Sequence, residues 1–175
     1  MKTATKYRIR NLPHRLRGIK AEFYRLLRIG AGSELCAILI TPDGERIDLG
    51  VVSRRVVTAA GVSFMVDAFQ GLENIGDFNF HASGTGTDPE NVGDTALGSE
   101  VESRVIGVQT EPETMKYRTT GAVTYTGVHA ITEHGLFSQL DAGGTLWDRS
   151  VFAPIGVIEN AQIEFQYTLT INAGG

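Results

Sequence analysis

The clearest pattern in the chain lies at its end. Between Gln162 and Ile171, Ile163, Phe165, Tyr167, Leu169 and Ile171 alternate with polar residues, the period-two signature of a strand with one buried face. Strand-like runs recur upstream at 78–83, 101–109, 116–125, 130–137 and 145–152, separated by turn-forming clusters. Nearer the N-terminus, 34–40 and 46–52 flank Thr41-Pro42-Asp43-Gly44-Glu45, whose Pro-Asp-Gly centre predicts a hairpin turn. After a short extended Val56-Val57-Thr58 the period changes. Over 59–70, Val62, Met65, Val66 and Phe69 follow i, i+3, i+4, i+7 spacing and Gly71 comes next, which predicts a three-turn helix with that face on the body. A long polar loop is expected over 84–93, then a single helical turn over 94–97 capped by Asp94. Seven or eight short strands with one packed helix make a mainly β fold, an antiparallel sandwich. Jelly-roll-like and immunoglobulin-like strand orders leave similar traces and stay open.

Composition supports this reading. Twenty-one glycines in 175 residues, well above the ordinary share of about 7%, suit many tight turns. One chain of this length predicts one core. The lone Cys36 has no disulfide partner and sits in an apolar run, so it is expected as an inert core thiol in a reducing compartment. No apolar run approaches the length of a membrane span, and no secretory signal opens the chain.

Charge changes the picture more. Residues 1–30 carry nine Lys/Arg against one acid, a net +8, while residues 31–175 carry seven against nineteen, a net −12. The chain therefore divides into a basic N-terminal arm, 1–30, and a β-sandwich body, 31–175. Residues 1–16 are expected to be extended, with Pro13 excluding a helix. Residues 17–29 are expected to form a short amphipathic helix, with Ile19, Phe23, Leu26 or Leu27 and Ile29 on one stripe and Gly30 ending it. Hydrophobic residues threaded among Arg8, Arg10, Arg15, Arg17, Lys20, Phe23, Arg25 and Arg28 mark the arm as a partner-binding segment. Arginine suits bidentate capture of acidic groups at an interface. Direct nucleic-acid contact is disfavoured because the −12 body repels the same polymer, and so few apolar anchors make a weak membrane helix.

Little else carries chemistry. Gly84-Thr85-Gly86-Thr87 resembles half a phosphate loop, but Asp88-Pro89-Glu90 follows where a helix N-terminus would be needed. A flexible turn is the expectation there. Asp88, Glu90 and Asp94 lack a calcium-loop pattern. His14, His81, His129 and His134 offer no zinc spacing, and the last two are expected on opposite strand faces. Asp67 and Glu133 are an acid and a base with nothing to bring them together. No catalytic residue, cofactor, metal or small-molecule substrate is expected.

The second half of the chain resembles a family. The run 81–89 (HASGTGTDP), then 92–100 (VGDTALGSE), 130–137 (AITEHGLF) and 143–152 (GGTLWDRSVF), with the closing alternating strand, is similar to blocks found in tailed-bacteriophage structural proteins, which range from capsid decoration to tail fibre. The likeness covers about 80–175. It implies a virion protein assembled in the host cytoplasm, with the major capsid protein and copies of itself as partners. Because the chain stops just after its last strand, the expectation is a capsid cement protein rather than a fibre. A tail or neck adaptor and a nucleic-acid-binding module using the arm are the alternatives.

Overall fold

A computed structural model of the chain describes residues 30–54 and 56–172. The predicted arm, with its extended stretch, its helix and all eight of its partner-binding residues, lies outside them. The chain divides into two units, Gly32–Thr170 and a second made of Met1–Ala31 with Ile171–Gly175; the body described below is the first.

The described residues form ten strands and one α-helix, a mainly β fold of two antiparallel sheets. They are β1 (Gly30–Ile40), β2 (Arg46–Ser53), β3 (Val56–Val57), α1 (Ala59–Phe69), β4 (Phe80–Gly84), β5 (Glu100–Ile106), β6 (Val108–Glu113), β7 (Lys116–Thr124), β8 (His129–Phe137), β9 (Leu146–Val157) and β10 (Gln162–Asn172). One sheet runs β2-β1-β10-β7-β6 and the other β3-β9-β8-β4-β5.

The predicted alternation in β10 holds from Ile163 through Phe165 and Tyr167 to Leu169, all buried, whereas Ile171, expected on the same face, is exposed. Its register with β7 is unbroken from Gln162↔Thr124 to Thr170↔Lys116. From this frame the core fills toward the second sheet: Leu35 and Ala37 of β1 meet Ile131 and Leu136 of β8 and Ile155 and Val157 of β9 in one cluster. Burying that apolar area is the main favourable term of folding. The β1–β2 hairpin turns as expected, with Gly44 at φ 90° donating to the Thr41 carbonyl at 2.9 Å.

Several expectations need correction. The run 101–109 is two strands in different sheets, split at Gly107, because the chain crosses from one layer to the other there. A Cβ on Gly107 would come within 2.6 Å of His81 Nε2, so only glycine allows so close a crossing. Strand β1 begins at Gly30, four residues before the expected start and at the residue expected to end a helix. No helical turn forms over 94–97, since the Asp94 side chain is used elsewhere. Cys36 is half-buried rather than in the core, because its neighbours Leu35 and Ala37 take the inward positions of β1.

Helix α1 exists where predicted but turns another face inward. Thr58 caps it, accepting from Gly61 N–H at 2.9 Å. Gly71, at φ 73°, closes it in a Schellman motif, with Leu72 N–H bonded to the Asp67 carbonyl at 3.1 Å. The buried residues are Gly61 and Phe64, while Val62, Val66 and Phe69 face outward. Gly61 explains the rotation. A Cβ there would lie 2.8 Å from the Trp147 carbonyl oxygen, so the helix backbone rests directly on β9 and Phe64 packs edge-on to Phe78.

Candidate functional site

The polar residues of the body gather on the second sheet. Its strands β4, β8 and the first half of β9 are buried on both faces, one by the opposite sheet and the other by the segment 85–99. A register shift in β8 between Ile131 and Glu133 sends Glu133 to the outer side, away from the main core. There it meets the segment that the sequence marks with GTGT and GDTALGSE.

Glu133 is fully buried and completely satisfied. Its Oε1 accepts from the backbone N–H groups of Gly86 at 2.9 Å and Ser99 at 2.8 Å, and its Oε2 from Gly98 N–H at 3.0 Å. Arg149, one strand over, adds Nε and Nη2 at 3.0 and 2.8 Å to Oε2. Its third nitrogen reaches Asp94 Oδ2 at 2.9 Å. Burial pushes the Glu133 carboxyl up, but the N–H groups of Gly98 and Ser99, the Arg149 guanidinium and Gly86 N–H together hold it below the usual carboxylate range. Thr132 Oγ1 donates to the Gly86 carbonyl at 2.8 Å and locks the loop from its other side.

The glycine-rich run is thus an anion cradle after all, but its anion is the protein's own carboxylate. A Cβ at Gly86 would overlap that carboxylate, and one at Gly84 would overlap the Ser99 carbonyl. The expected flexible turn is instead pinned. Asp94 and Glu90 are similarly engaged: Asp94 pairs with Arg149, and Glu90 accepts from Val151 N–H at 3.1 Å. Among the described residues no group of three or more acids, histidines and cysteines is placed to hold a metal ion.

A second polar cluster lies between the sheets. His81 Nδ1 and His134 Nε2 are 3.0 Å apart, and His81 Nε2 is 3.1 Å from Thr119 Oγ1. His134 Nδ1 has no hydrogen-bond partner, and its ring tilts against Phe165. Burial drives the His81 pKa down to about 3, and burial with the neighbouring His81 drives His134 well below its ordinary value. Both rings are neutral at pH 7. The sequence placed His129 and His134 on opposite faces by simple alternation, which the register shift between Ile131 and Glu133 breaks; His129 is half-exposed beside Glu102 at 3.7 Å, while His134 pairs with His81, a partner from another strand.

Asp148 is the third buried group. Ser33, Ser150 and Tyr167 hydroxyls donate to it at 2.8, 3.2 and 3.4 Å, and Trp147 Nε1–H donates to Tyr167 at 2.7 Å. Burial raises its pKa to about 6, against these hydroxyls. Arg104 forms a fourth: it lies 3.5 Å over the Phe137 ring, grips Glu100 through two nitrogens, and donates to the carbonyls of Gln139, Asp141 and Gly143.

Each cluster is built from the protein's own side chains and backbone groups. Asp67, the other acid noted in the sequence, lies on α1 and is not brought to Glu133. The Glu133–Arg149 and His81–His134 pairs could not be found by spacing, since their members come from different strands. The signal that was present is the glycine pattern around 84–86 and 98, which a close approach of backbone to a side chain requires. Comparison with protein-family models, with curated proteins and with solved structures finds no match to this chain.

Proposed function

We propose that this chain is a virion structural protein of a tailed bacteriophage, a capsid cement protein that bridges neighbouring capsomers and stabilises the head. The observation that carries the reading is where the phage-like sequence blocks meet. Gly86 of the first block, Gly98 and Ser99 of the second, Glu133 of the third and Arg149 of the fourth converge on one buried ion pair. The residues that carry the resemblance are here residues that hold a framework together, which is the kind of likeness a common architecture would leave. This reading assigns no bond-making step to the chain. The work is buried interface area.

In this reading the acidic body sits at capsomer junctions and the basic arm reaches the major capsid protein or another copy. Assembly takes place in the host cytoplasm. The test is to count the protein in purified virions by quantitative mass spectrometry. A copy number on the scale of the capsomers is expected. A number on the scale of a single portal or tail would overturn cement in favour of a tail or neck adaptor. Absence from virions, with salt-sensitive DNA retention, would favour the nucleic-acid reading.

A further inference from the structure

Helix α1 is apolar on two sides. Its inner side, Gly61 and Phe64, rests on β9, yet Val62, Val66 and Phe69 on the outer side are 47, 51 and 83% exposed. Leu72 and Ile75, directly after it, are 69 and 53% exposed. A helix that is apolar all round belongs in an interior, and clustered exposed hydrophobic side chains mark an interaction site. The charge around this face is one-sided. From residue 56 to residue 103 the chain has no lysine or arginine and eight acids, among them Asp67, Glu73 and Asp77 on or just after the helix.

A fitting occupant must bring apolar side chains flanked by positive charge. A second α1 face would set acid against acid, and an anionic membrane surface or nucleic acid would be repelled. The chain itself contains a segment with the complementary pattern. Residues 17–29 hold Ile19, Phe23, Leu26, Leu27 and Ile29, with Arg17, Lys20, Arg25 and Arg28 against a single acid, Glu22.

We infer that the outer face of α1 seats residues 17–29 of a neighbouring copy, apolar side chains against apolar side chains, with the segment's net positive charge set against the acidic stretch that carries the helix. The inference deepens the proposed function by naming how copies join, and it rests on that reading only in taking this chain to self-associate. Because the arm and its seat are different surfaces, two copies can close by exchanging arms, and further copies can extend the same contact into rings or chains.

The test uses the full-length chain alone, in size-exclusion chromatography with light scattering over a range of concentrations. Wild type is expected to assemble beyond the monomer, and the V66E/F69E variant to elute as a monomer with an unchanged thermal midpoint. D67K/E73K is expected to weaken assembly, and adding R25E/R28E to it in the same chain to restore assembly. A wild type that stays monomeric overturns the inference, as does assembly indifferent to V66E/F69E. Failure of the double charge reversal to restore assembly overturns the arm as occupant. No capsid is present in these measurements, so their failure leaves the virion count untouched, and a failed virion count leaves them standing.

Discussion

Glu133 and Asp148 are both carboxylates with no exposure, on adjacent strands β8 and β9 of one sheet. They respond to burial in opposite directions. Glu133 faces outward from the core into three backbone N–H groups and a guanidinium, and it is held below the usual carboxylate range. Asp148 faces the other sheet, where it meets only hydroxyl groups, and it rises to about 6. Burial is common to both. The difference is whether fixed positive charge and aligned N–H dipoles replace the lost water, and that decides whether a buried acid tightens a fold or strains it.

The largest effect should come from breaking the satisfied acid. Glu133→Ala removes one partner of a buried pair and leaves the Arg149 guanidinium facing emptied donors, a loss of about 3–5 kcal/mol in urea denaturation at pH 7. A cost below about 1 kcal/mol would mean that the pair behaves like a surface salt bridge.

The pH dependence of stability should show the two acids and the histidine pair acting together. His81 and His134 have lowered folded pKa values, so their contribution is complete above about 6.5 and is lost as pH falls toward the folded value, about 3 for His81. Asp148 has a raised folded pKa, so its contribution is present below about 3.9 and is lost as pH rises through about 6. Glu133 contributes above about 4.3 and loses that contribution as pH falls further. Between these limits Asp148 offsets one of the two histidines, and below them the histidines and Glu133 lose stability while Asp148, protonated in both states, adds nothing further. Thermal midpoints are therefore expected to fall moderately from pH 6.5 to 4, less than the two histidines alone would give, and steeply below 4. A midpoint still level at pH 3 would contradict the neutral, buried imidazole pair.

The smallest effect, and the sharpest comparison, is Asp148→Asn. At pH 7 the variant should be within about 1 kcal/mol of wild type or more stable, because a buried charge without a cation is removed. Its midpoint should then fall steadily from pH 6.5 downward, since the offsetting group is gone. A variant whose pH profile overlays that of wild type would show that Asp148 titrates normally.

Much of the fold was legible because its signals are local. The alternation of Ile163 to Leu169 dictates a half-buried strand whatever lies opposite, Pro42-Asp43-Gly44 dictates a turn, and the spacing over 59–70 with Gly71 dictates a helix and its end. The candidate sites were less legible. The sequence singled out GTGT, Asp94, Glu133 and His134 separately, but nothing along the chain says that the first three meet Arg149 or that the last meets His81. Arg104 and Asp148 carried no signal at all.

By itself, then, the sequence determined the element types, the mainly β class and the uneven charge, +8 over residues 1–30 and −12 over 31–175, since these depend on residue periods and counts. Tertiary structure alone decided which faces are inside. Helix α1 turned Gly61 rather than Val62 inward because only a residue without a side chain lets the helix backbone rest on Trp147. The run 101–109 changed sheets at Gly107 because only glycine passes that close to His81. Periodicity records which residues share a face, whereas the closest approach of two backbones, which hydrophobicity does not record, chooses the face that is buried.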